Sequence, residues 1–116
     1  MPEDVDDRIR FVYSQLHALV NDLPQIAYER DVESFHELID ELESLGFKAS
    51  RFKIDRDRDM FRRMTSISNR TGVAKYAQQY EVRHGTFGRQ VKALFTFFEL
   101  TQRRDVVNVS LPRGEG

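Results

Sequence analysis

Two apolar stripes, each repeating at alternating steps of four and three residues, constrain this chain more than any other feature. Val5, Ile9, Val12, Leu16, Leu19 and Leu23 fall on one side of a helix, and Tyr28, Val32, Phe35, Ile39 and Leu42 do the same downstream, with Leu38 and Leu45 widening the second stripe. The spacing predicts helices over about 4–22 and about 26–45. Asn21-Asp22-Leu23-Pro24 separates them, because Pro24 disfavours helical geometry at Leu23 while suiting the first turn of the helix that follows. Glu3, Asp4, Asp6 and Asp7 stand where a helix N-terminus favours negative charge, with Asp4 at the cap. Leu45-Gly46-Phe47 reads as a C-terminal cap, Gly46 taking the left-handed conformation and Phe47 folding back on the last turn. The expected product is an antiparallel helical hairpin. Such a hairpin cannot bury both stripes alone, so either the C-terminal part or a second copy must cover it.

The C-terminal part offers a cover. Thr86 can cap a third helix over about 87–101, in which Phe87, Val91, Leu94, Phe95 and Phe98 share one side while Phe97 and Leu100 point away from it. That helix is expected to be buried on two faces or to sit at an interface. Residues 47–72 form a basic connecting segment without a lasting period. Short extended structure is expected at 51–54, and the alternating charges of 55–59 mark an exposed stretch. Tyr76, Gln78, Tyr80 and Val82 alternate as in a strand over 73–82, Arg83-His84-Gly85 turns the chain, and Val107, Val109 and Leu111 alternate in a second strand over 106–111. The polar residues 112–116 read as a tail. With 116 residues the chain fits one domain. The fold class is mostly α, a helical hairpin packed with a Phe-rich third helix, with a small β pair as a minor α+β variant.

Net charge is −1, but it is unevenly spread. Residues 1–46 carry three bases against twelve acids, net −9, and residues 47–116 carry fifteen bases against seven acids, net +8. The basic part can face phosphate, or it can satisfy the acidic part of its own or a neighbouring chain. Arg51, Lys53, Arg56, Arg58, Arg62 and Arg63, interleaved with Phe52 and Phe61, are the candidate nucleic-acid residues, because cations that follow a backbone and rings that stack on bases are the parts of single-strand recognition. Arg89 and Lys92 would give poor anchorage on a membrane, and no apolar run approaches the length of a spanning helix. A soluble, cytoplasmic protein is the expectation.

Candidates for catalysis are few. The absence of cysteine excludes thiolate metal sites and cysteine nucleophiles. His36 and Asp40 stand one helical turn apart, but the remaining histidines lie in other elements, and Gly85-Thr86-Phe87-Gly88 is only a faint echo of a phosphate-binding loop. The segment from Arg30 to His36 resembles the Arg-to-His motif of the HEPN helical ribonucleases, which implies a phosphate-steadying Arg30 and a proton-transferring His36. The resemblance covers seven residues, and Arg10 with His17 supplies a second such pair. No catalytic residue, metal or cofactor is assigned. The expected role is therefore a non-enzymatic interaction or accessory module that dimerises or docks on a larger protein through Phe95, Phe97, Phe98 and Leu100. The alternatives are a sequence-independent nucleic-acid-binding subunit using 48–63 and, third, a HEPN-like ribonuclease.

Overall fold

The computed structural model of the chain describes the backbone of residues 5–68 and 74–110, with side chains at 5–64 and 78–102. Asp4, Val73 and the tail from Leu111 therefore lie outside the described residues. The elements run α1 (Val5–Asn21), α2 (Glu29–Ser44), a 3-10 turn (Ser50–Phe52), α3 (Arg56–Asp59), β1 (Met60–Ser68), β2 (Ala74–Val82) and α4 (Thr86–Ser110). The protein is mostly helical with one small antiparallel sheet, as the sequence predicts.

The two stripes do what their spacing implies. Val12 and Leu16 of α1 and Val32, Phe35, Ile39 and Leu42 of α2 are buried. At the end of α2, Gly46 has a φ of 99° and the Phe47 N–H donates to the Leu42 carbonyl at 3.0 Å. This closes the helix and folds the Phe47 ring edge-on against Phe98, 5.2 Å between centroids. The cover for the hairpin is α4, whose Phe87, Val91, Leu94 and Phe98 complete the core. Phe98 and Phe95 meet Tyr13 of α1, and Phe87 meets Phe35 of α2, so one side of α4 spans both hairpin helices, while the side that carries Leu100 stays exposed rather than forming a second buried face.

Strands β1 and β2 pair in antiparallel register from Met60 opposite Val82 to Ser68 opposite Ala74. Their root is joined to the bundle. The Val82 N–H donates to the Ala27 carbonyl at 2.9 Å, and Tyr28 forms a single antiparallel bridge with Glu81, so the linker ahead of α2 acts as a short third edge. The radius of gyration, 19.0 Å, exceeds the about 13 Å of a compact chain this long. The excess follows from a 25-residue α4 and a nine-residue strand pair joined to a modest core.

Two expectations fail locally, and a third holds except at one residue. Residues 50–52 form a 3-10 turn rather than extended structure, for a reason given below. Residues 56–59 form a short helix in a stretch that is exposed from Asp55 to Arg58, as expected, and buried at Asp59 alone: Asp55 caps it by accepting the Asp57 and Arg58 N–H groups, and Asp59 in return accepts the Asp55 N–H at 2.9 Å. Finally, 106–110 continue α4 as helix where a strand is predicted. The alternation of Val107 and Val109 signals extended backbone, but a strand needs a neighbour, whereas a helix already under way satisfies each next N–H within itself.

Candidate functional site

On the outward side of α4, Arg89, Lys92, Ala93, Thr96, Phe97 and Leu100 line one shallow surface, at the three-and-four spacing of a single helix face. Leu100 is 56% exposed. Phe97 is half-buried and leans on Phe52, 5.4 Å between ring centroids. The Arg51 guanidinium lies 4.7 Å from both ring centroids and so borders the same surface.

Glu43 sets that geometry. One carboxylate oxygen accepts the Ala49 N–H at 2.7 Å, the Ser50 N–H at 2.8 Å and the Ser50 hydroxyl at 2.8 Å. The Ser50 hydroxyl foremost, then the Ser50 and Ala49 N–H groups, hold the Glu43 carboxyl below the usual carboxylate range. The chain is thereby curled into the 3-10 turn that presents Arg51 and Phe52 to α4, and Gln90 of α4 donates to the Phe52 carbonyl at 3.3 Å. Three cations, Arg51, Arg89 and Lys92, border the patch with no carboxylate among its lining residues.

The four predicted interface residues separate in the structure. Phe97 and Leu100 belong to the surface. Phe98 is fully buried and Phe95 is half-buried against Tyr13 and His17, so these two are placed in or beside the core, not on the outer face. Both lie on the side of α4 that faces α1, where the Tyr13 hydroxyl also donates to Glu99 at 3.3 Å.

The six predicted phosphate contacts separate as well. Lys53 pairs with Asp40 at 2.8 Å and Arg56 with Glu29 at 2.8 Å, joining the basic segment to the acidic helix α2. Arg58 pairs with Asp59 at 3.0 Å and Arg63 with Glu81 at 2.8 Å. Arg62 stands 3.0–3.1 Å from the end of the Gln78 side-chain amide, whose oxygen can accept from the guanidinium when turned towards it. Of the six, Arg51 alone stands among the cations of the α4 patch. Arg89 and Lys92, the cations that matter there, are scattered in sequence and gain meaning only from the turn that brings Arg51 beside them.

His36 has a structural role. Its Nε2 accepts the Ile54 N–H at 2.9 Å, and the Ile54 side chain is buried. Burial first, and then the Lys53 ammonium, push the imidazole below its ordinary value, with Asp40 opposing them. Arg30 lines a separate concavity with Tyr28, Glu29 and Gln78 to Tyr80, of which His36 is no part. Since an imidazolium cannot accept the Ile54 N–H, the folded state disfavours protonation and the unfolded chain binds the proton more readily. Stability should be intact above about pH 6.5 and fall as the pH drops through the lowered folded value. Urea midpoints of the wild type should decline over that window, and those of His36→Gln, whose amide oxygen can also accept, should decline less.

Among the described residues no group of three His, Cys, Asp or Glu side chains could hold a metal ion, and no helix is long and apolar enough to cross a membrane. No known family model, curated protein or solved structure matches the chain.

Proposed function

We propose that this protein is a non-enzymatic, cytoplasmic interaction module whose outer α4 face docks an acidic, apolar protein surface. The observation that carries the reading is the Phe97–Leu100 patch bordered by Arg51, Arg89 and Lys92 with no carboxylate among them. An exposed apolar centre with a charged rim is the arrangement of a docking surface, and the sign of the rim selects the partner. A nucleic-acid reading loses most of its support because four of its six cations already carry carboxylate partners within the chain.

The test is fluorescence anisotropy with a labelled acidic amphipathic peptide and, separately, a single-stranded oligonucleotide, each at low and high salt. The peptide should bind, should retain part of its affinity at high salt through the apolar contact, and should lose about tenfold or more on Leu100→Glu. An oligonucleotide that binds more tightly than the peptide and is released steeply by salt would overturn the reading in favour of phosphate.

A further inference from the structure

A second surface has the opposite character. Between α1 and α2 lies a cleft of about 750 Å³, walled on one side by Asp7, Phe11, Gln15 and Leu19, one residue per turn of α1, and on the other by Asp31, Glu37, Leu38 and Glu41 of α2. Phe87 also lines it. The apolar lining is substantial, and Phe11 is 61% exposed, the α1 side chain with the greatest reason to be covered. Four carboxylates and the single guanidinium of Arg8 line the cleft, a net of −3. Glu41 already holds Arg8 at 2.7 Å and Asp7 holds Arg10 at 3.3 Å, whereas Glu37 has no ion-pair partner among the described residues.

The shape and charge required of an occupant are those of a helix with an apolar row bordered by about three cations. The same chain carries such a helix face. From Arg89 to Leu100 the α4 ridge spans about 17 Å, and from Asp7 to Leu19 the α1 wall spans about 18 Å, at 1.5 Å per residue. The ridge presents Arg89 and Lys92 with Arg51 of the neighbouring turn beside them and no acid in its lining, and the cleft lining keeps an excess of carboxylates over cations. We infer that the α1–α2 cleft receives the α4 ridge of a second copy, so that the acidic, apolar partner proposed above is this chain itself. The inference rests on that reading and adds the occupant. Because ridge and cleft are different surfaces, the contact is head-to-tail, and each added copy leaves one of each surface free for the next.

Two exposed residues make the test clean, since neither Phe11→Glu nor Leu100→Glu disturbs the buried core. Light scattering of the wild type should give a mass that rises with protein concentration and falls with salt. Each variant alone should remain monomeric at concentrations where the wild type associates. Mixed one to one, they should form a heterodimer and stop there, because the Leu100→Glu chain keeps its cleft, the Phe11→Glu chain keeps its ridge, and the other two surfaces are disabled. A wild type that stays monomeric at high concentration, or a mixture that stays monomeric where the wild type associates, overturns the inference. If an acidic peptide still binds the α4 face in that case, the docking function stands and only the second copy is removed as its partner. If neither peptide nor second copy binds, both readings fall.

Discussion

Phe98→Ala is expected to lower the unfolding free energy by about 3–5 kcal/mol, while Leu100→Ala, two residues along the same helix, should change it by no more than about 0.5 kcal/mol. The difference follows from where each side chain lies. Phe98 is fully buried, edge-on to Phe47 and close to Tyr13, so truncation leaves a cavity bounded by α1, α4 and the end of α2. Leu100 meets solvent over more than half its surface and has little to lose in the isolated chain. Urea unfolding with a shared slope measures both values. The pair also separates packing from recognition: Phe98→Ala should act on stability, and Leu100→Ala on partner affinity.

Asp59→Ala should cost about 1–3 kcal/mol, a large effect for an aspartate inside a run of alternating charges. Its carboxylate accepts the Asp55 N–H at 2.9 Å and Arg58 at 3.0 and 3.2 Å, while its carbonyl accepts the Arg83 N–H at 2.8 Å. The residue thus joins α3, the start of β1 and the exit of β2. The Arg58 hydrogen bond first, with the Asp55 N–H and the charges of Arg58 and Arg83, holds the Asp59 carboxyl below its ordinary value against the opposing effect of burial. A carboxyl lowered on folding contributes stability in full above about pH 3.9, and that contribution is lost as the pH falls through the folded value. Acid unfolding curves of the wild type and Asp59→Ala should therefore converge at the acid end and separate towards neutral pH. Parallel curves would contradict this role.

Phe98 and Asp59 stand at opposite ends of what local sequence patterns encode. Both hairpin helices, the Gly46 cap and the extended character of β2 are legible because each rests on a local rule of spacing or backbone conformation. Strand β1 is not legible: Met60 is buried, but Arg62, Arg63 and Met64 are exposed, so no alternation appears in a strand paired on one edge only. The burial of Asp59 depends on a reciprocal cap and on Arg83, which is distant in sequence, so its neighbouring charges give the wrong impression. For the candidate site, the outward rotation of Phe97 and Leu100 follows from the helical repeat, and Leu100 is indeed exposed. The cation rim does not follow from it. Arg51 joins Arg89 and Lys92 only because Glu43 curls residues 49–50, a long-range arrangement that no spacing encodes.

The hydrogen bond from Val82 to Ala27, with the bridge from Tyr28 to Glu81, has a mechanical consequence. The paired strands are not a free-swinging arm, because their root is tied to the segment from which α2 departs. Bending the arm about that root would strain the bonds at the head of α2, and with them the helix that supplies one wall of the acidic cleft. A load on the arm is thus delivered to the helices as torque instead of being dissipated in a slack joint.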